Sequence, residues 1–268
     1  MKPDRQLGQR VSTGLVLVAV AVAALWFGGI GFALLAAAAV LVMFSEWAAM
    51  HRLPSLLRRL GLAVLAGSVW VAAVLGNPAE ALMLLGGGAG LGGLFASRLQ
   101  KGTGRAMMLG LLYCGLPAVA LVWLRAQPWG FQATLFVMAV VWGTDIAAYF
   151  TGRTLGGPKL APAISPNKTW SGAIGGLFGA LIVAGIMLQI WPGYANLAGA
   201  LRLAALALPL AVLSILGDLY QSALKRRAGV KDSGSLLPGH GGVMDRLDGL
   251  VPVAVAGAAA FAATGWTG

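Results

Sequence analysis

The sequence predicts an all-α, polytopic integral membrane protein with about nine transmembrane helices and a cytoplasmic N-terminus. Three observations predict it. Hydrophobic residues make up 59% of the 268 and charged residues only 10%, against roughly 25% charged in an ordinary soluble domain. Uncharged stretches recur at the length needed to cross a bilayer. The basic residues between those stretches fall almost entirely on one side.

Taken in order, the spans cover roughly residues 11–27, 30–50, 60–76, 79–96, 106–124, 131–150, 172–190, 201–219 and 247–265. The first break carries no charge and rests on Trp26-Phe27-Gly28-Gly29-Ile30-Gly31. The run from Arg10 to Glu46 is too long for the apolar part of a cleavable signal peptide. After span two, His51–Leu60 mixes apolar and basic residues; it reads either as a short interfacial amphipathic helix or as an ordinary basic loop. Span four holds Gly86-Gly87-Gly88 and Gly92-Gly93, which make it the weakest helix or mark close helix packing. The single cysteine, Cys114, sits in an apolar run and excludes an intrachain disulfide.

With these spans, 17 of the 19 Lys and Arg lie on one side; Arg125 and Arg202 lie on the other. The positive-inside rule makes the richer side cytoplasmic and puts the C-terminus outside. The net charge of +11 therefore reads as orientation and attraction to anionic lipid. No basic stripe and no nucleic-acid motif accompanies it, so nucleic acid is not expected as a partner. The chain divides into an N-terminal region, 1–130, with spans one to five, and a second region, 131–268, with spans six to nine and two cytoplasmic motif segments that hold the candidate functional residues.

The eight acids are more informative than the bases. Asp4, Glu46 and Glu80 are scattered near span ends; Asp145, Asp218, Asp232, Asp245 and Asp248 lie within or beside the two longest cytoplasmic gaps. A carboxylate at membrane depth costs about 2.5–3.5 kcal/mol on insertion scales, so an acid kept there points to use.

The second of these gaps runs from Gly217 to Asp248. A helix continuing past Asp218 places Asp218, Ser222, Lys225 and Arg226 on one face. Asp245 and Asp248, three residues apart near the start of span nine, can point the same way. Between the two groups lie Lys231, Asp232, His240 and a glycine-rich backbone including Gly241 and Gly242, able to approach a phosphate closely. Carboxylates suit Mg²⁺ and cations suit phosphate oxygens, which describes metal-assisted phosphoryl or nucleotidyl transfer. A solvated basic loop paired with its own acids is the plain alternative.

In the first gap, Asp145 and Tyr149 stand one turn apart near the end of span six. Asp145 reads as a functional acid or as the partner of a nearby cation. Ser165-Pro166-Asn167-Lys168 reads as a helix start, with Ser165 as N-cap and Pro166 at the first helical position. Such an N-terminus attracts phosphate, and Lys168 and Thr169 add a charge and a hydroxyl.

The run Ser222-Ala-Leu-Lys225-Arg226, then Lys231-Asp232-Ser-Gly234, then Pro238-Gly-His240-Gly241-Gly242-Val-Met-Asp245-Arg246-Leu-Asp248 resembles the signature of the phosphatidate cytidylyltransferases, or CDP-diacylglycerol synthases. Asp145, Tyr149, Gly152-Arg153 and Ser165-Pro166-x-Lys168-Thr169-Trp170 resemble that family too. Ser171 departs from the Glu or Gln that some members carry. The resemblance is strong over about 140–250, and in the N-terminal half it covers hydropathy and length alone.

The resemblance implies transfer of the cytidylyl group of CTP to phosphatidic acid, giving CDP-diacylglycerol and pyrophosphate. It implies Mg²⁺, with K⁺ as a possible second cation, a homodimer, and a bacterial inner membrane with the site facing the cytoplasm. The corresponding roles are catalysis for Asp218, Ser222, Lys225, Arg226, Asp245 and Asp248, of which Asp218, Asp245 and Asp248 would hold metal. Asp145, Ser165, Lys168, Thr169, Lys231, Asp232, His240, Gly241, Gly242 and Arg246 would bind substrate or phosphate. A CTP-dependent polyprenol kinase and, more distantly, a transporter with midplane carboxylates are the competing readings.

Overall fold

A computed structural model describes residues 3–236 and 241–264, leaving out the side chains of 3–13 and 15. Among the described residues ten α-helices follow one another: α1 Pro3–Phe27, α2 Gly29–Met50, α3 Ser55–Leu75, α4 Pro78–Leu99, α5 Thr103–Ala126, α6 Gly130–Leu155, α7 Trp170–Ile190, α8 Leu197–Arg227, α9 Met244–Leu247 and α10 Leu250–Thr264. The expectation of an all-α membrane protein holds. Among the described residues, seven helices, α2 to α8, are long and apolar enough to cross a membrane, and two shorter apolar stretches, Val16–Phe27 and Leu250–Thr264, accompany them.

The chain forms two compact units. One comprises Met1–Ala126 with Arg227–Leu247; the other comprises Gln127–Arg226 with Asp248–Gly268.

In the first unit, α2 to α5 pack on one another around Phe44, Trp47, Leu65, Leu85, Met107 and Leu111. The uncharged break after span one is real: Gly28 takes a φ of +63° between α1 and α2. Arg125 closes it, donating from Nε to the Leu25 carbonyl at 2.7 Å and from Nη2 to the Trp26 carbonyl at 3.2 Å. The positive φ of Gly28 disfavours any other residue there, and a Cβ would also have to push the Arg125 guanidinium aside. Of the His51–Leu60 segment, His51–Pro54 is a turn, as the loop reading has it, and Ser55–Leu60 forms the first turns of α3 and not a separate helix. The glycines of span four do not break it. α4 is continuous, and a Cβ on Gly93 would lie 3.2 Å from the Gly104 carbonyl of α5, the close approach that small residues permit.

In the second unit, α6 and α7 pack face to face through small residues, with Gly152 against Gly172 and Gly179 against Ala147. α10 packs on α6 through Phe261 and Phe136. Between α6 and α7 lies a hairpin of β1, Lys159–Ala161, and β2, Ser165–Thr169, antiparallel with Lys159 opposite Thr169 and Ala161 opposite Ser165. This corrects the helix start expected at Ser165. Ser165 and Pro166 are strand residues, and the residue that caps the helix is Thr169, whose Oγ1 accepts from the Gly172 N–H at 3.1 Å. Pairing with β1 claims the segment before a helical turn can form, and a two-stranded ribbon tolerates Pro because both its strands are edges.

Candidate active site

α8 runs on past Asp218 to Arg227, so the expected one-turn spacing is realised: Ser222 Oγ donates to Asp218 Oδ1 at 3.3 Å. The other carboxylate oxygen of Asp218 forms an ion pair with Lys168 on β2. The two motif segments, separate in the sequence, therefore meet in the second unit. Lys225 follows on α8 half-buried, and Arg226 is exposed.

Asp248 lies in the turn between α9 and α10, and its Oδ1 accepts from the Gly249 N–H at 2.8 Å. Burial, and then the charges of Asp218 and Asp145, push its carboxyl up to about 7; the Gly249 N–H and Lys168 act in the opposite direction. Three acids thus share one neighbourhood with one lysine. Asp145 is exposed on α6; one turn on is Tyr149, whose Oη accepts from Arg153 at 2.6 Å and whose ring lies under the Arg153 guanidinium.

Asp245 and Asp248 do not share a helical face. α9 ends at Leu247, and each carboxylate has its own partners. In the first unit, Asp245 is buried, and its Oδ2 accepts from the Ser233 N–H at 2.8 Å and the Gly242 N–H at 3.1 Å. Gly241 has a φ of +83° and faces Asp232 and Asp245, where a Cβ would lie 3.1 Å from Asp245 Oδ2. Lys231, Asp232 and Arg246 are exposed around this loop. His240 lies outside the described residues. Thr169 is buried and its hydroxyl is engaged twice, by the Gly172 N–H and by Ser171 Oγ at 3.0 Å. Ser171 itself donates to the Gly156 carbonyl, so at this departure from the resemblance the side chain ties the end of α6 to the start of α7.

The profile of the cytidylyltransferase family matches residues 8–263, nearly the whole chain. The chain belongs to the cytidylyltransferase family. It is 44% identical to the phosphatidate cytidylyltransferase of Brucella suis over 257 residues, covering 92% of this chain and 90% of that protein. It is 43% identical to the enzyme of the same name from Brucella abortus over the same length and coverage. With the phosphatidate cytidylyltransferase of Pseudomonas aeruginosa it shares 43% identity over 167 residues, 62% of this chain and 60% of that one.

In this family member the sequence reasoning missed one residue, Glu46. It is one of the acids scattered near span ends, yet its buried carboxylate accepts from Ser233 Oγ at 3.0 Å and from the N–H groups of Val243 and Met244 at 2.8 Å each. The signal was available: Glu46 is an acid at the end of an uncharged run, the same reason that drew attention to Asp145.

Proposed function

We propose that this protein transfers the cytidylyl group of CTP to phosphatidic acid, releasing pyrophosphate. Membership of the cytidylyltransferase family, with relatives named phosphatidate cytidylyltransferase along nearly the full chain, supports the assignment. The observation that carries the chemistry is the Lys168–Asp218 ion pair set among Asp145 and Asp248.

A phosphatidate oxygen attacks the α-phosphorus of CTP. One P–O bond forms, the bond from the α-phosphorus to the bridging oxygen breaks, and the electron pair leaves with pyrophosphate. The nucleophile is already anionic near neutrality, since the second pKa of a phosphomonoester is about 6, so no strong general base is required. What must be overcome is repulsion between two anions and the charge gathering on the leaving group. Lys168, Lys225, Arg226 and Lys231 bind and orient phosphate oxygens in this scheme. Asp218 holds Lys168 in place, and Ser222 steadies Asp218.

The acids fit a hard divalent cation. Asp248 is held above its ordinary range first by burial and then by the charges of Asp218 and Asp145, and added positive charge would offset both. Among the described residues no three His, Cys, Asp or Glu side chains form a ready-made metal cage. Mg²⁺ commonly takes only one or two carboxylates, with substrate phosphates and water completing its shell. Asp218 and Asp248 would hold it; the assignment of Asp245 to metal rests on the sequence signature. Bound there, Mg²⁺ would supply charge neutralisation for the phosphates.

The orientation of basic residues supports an inner-membrane protein whose site faces cytoplasmic CTP. A homodimer and a K⁺ site rest on the resemblance. Purified protein given phosphatidate, Mg²⁺ and CTP labelled at the α-phosphate is expected to place the label in lipid, and EDTA to stop it. Label entering lipid from the γ-phosphate instead would establish a lipid kinase and remove this reading.

A further inference from the structure

Glu46 belongs to α2, far in sequence from the signature run, yet its carboxylate reaches residues of that run. Met244 N–H and Ser233 Oγ donate to Oε2, and Val243 N–H donates to Oε1. Asp245, the next residue, turns back onto the same loop and accepts from the N–H groups of Ser233 and Gly242. Ser233 is thus held twice, its hydroxyl by Glu46 and its backbone by Asp245. The loop has been shaped around the Glu46 carboxylate. A Cβ on Gly234 would lie 2.7 Å from Oε1, and one on Gly242 would lie 2.6 Å from Oε2. Burying a carboxylate is costly unless its oxygens are satisfied, and here both oxygens are met by donors of one loop.

We infer that Glu46 is a positioning residue for the transfer reaction, acting from the N-terminal half by fixing Ser233 and the Val243–Met244 backbone and so the aim of Asp245. The inference rests on the proposed place of Asp245 in the site. A purely structural anchor would make the same hydrogen bonds, so the two roles must be separated by what changes when Glu46 does. Glu46→Gln keeps the size but has one acceptor oxygen. Its amide nitrogen would face a loop N–H and push that part of the loop away.

The test uses the full chain in detergent, with turnover expressed per folded molecule. For Glu46→Gln, kcat is expected to fall about ten- to hundredfold, the loss typical when a partner that orients a site ligand is removed. KM for phosphatidate should hold, and amide hydrogen exchange at Val243 and Met244 should accelerate. Ser233→Ala removes one donor and leaves both backbone bonds, so it folds more readily and should show a smaller loss in the same direction. Glu80→Gln, an exposed acid in the first turn of α4, serves as the control and should keep full turnover. The double variant Glu46→Gln/Asp245→Asn should be no slower than Asp245→Asn alone, because both act on one element.

Unchanged kcat in Glu46→Gln and Ser233→Ala, with only the unfolding temperature lowered, would overturn the inference and leave Glu46 a structural anchor. Additive losses in the double variant would also overturn it. If wild-type protein made no CDP-diacylglycerol, the functional reading would fail, while exchange at Val243 and Met244 would still decide whether Glu46 holds the loop.

Discussion

Lys168 on β2 pairs with Asp218 on α8, and this contact joins two motif segments that the sequence keeps apart. Both side chains are only partly exposed, 24% and 34%, so the pair is shielded from full screening by water. Asp218 also receives Ser222 and raises the carboxyl of Asp248, so one lysine balances several acids.

Replacing that lysine should therefore cost more than a surface ion pair. Lys168→Ala is expected to lower kcat/KM about a hundredfold or more, the scale seen when a single charge-stabilising donor leaves a transfer site. Lys168→Arg should recover only part of it, since a planar guanidinium cannot occupy the place of a compact ammonium. Steady-state synthesis of CDP-diacylglycerol, alongside thermal unfolding in detergent, separates this loss from misfolding.

Asp248 gives the protein a pH signature. Its carboxyl is pushed up to about 7 from an ordinary 3.8. Between those values the folded, metal-free protein holds a proton that the unfolded chain has lost. Stability should thus be fully present below the lower value and decline as pH rises toward the upper one. A cation at this site competes with the same proton, so the Mg²⁺ concentration needed for half-maximal activity should fall as pH rises through about 7. Unfolding midpoints in EDTA across that window, and Mg²⁺ titrations at each pH, check both. Asp248→Asn should flatten the stability trend.

The hairpin yields a contrast between two neighbouring hydroxyls. Thr169 caps α7 and Ser165 does not. Thr169→Ala is expected to destabilise the protein by about 1 kcal/mol, the usual loss of an N-cap, with Thr169→Ser retaining most of it. Ser165→Ala should leave the unfolding midpoint where it is. Equal destabilisation by the two alanine variants would show that the capping assignment is mistaken.

Why the sequence misplaced that cap is instructive. Ser165-Pro166 satisfies every local rule for a helix start, and nothing nearby reveals that Lys159–Ala161 will pair with it. Helix spans were readable because burial in lipid demands long apolar runs, a local property; α4 held despite its glycines for that reason. Asp218 with Ser222 was readable because both lie on one helix. Glu46 and the Lys168–Asp218 pair were not, because their partners come from distant segments and carry no period. The resemblance marked which residues matter around 140–250, but it was silent about α2, where an acid supports the same loop from outside the signature.

Asp245 provides the last expectation, because its geometry makes a neutral replacement harmful in a definite way. A single oxygen, Oδ2, accepts two backbone N–H groups, from Ser233 and Gly242. In Asp245→Asn the amide can present its oxygen to both donors only if it keeps this orientation, and it then accepts more weakly, having lost its charge. The fold should survive, as the size is unchanged and both N–H groups retain an acceptor. Turnover should not survive, because the carboxylate charge placed in the signature is gone. CDP-diacylglycerol synthesis is expected to drop about a thousandfold, on the scale of the several kcal/mol that a metal ion's charge supplies, since the signature assigns this carboxylate to the metal, with the unfolding midpoint close to wild type. Turnover like that of wild type would remove Asp245 from the reaction and leave it as a loop fastener paired with Glu46.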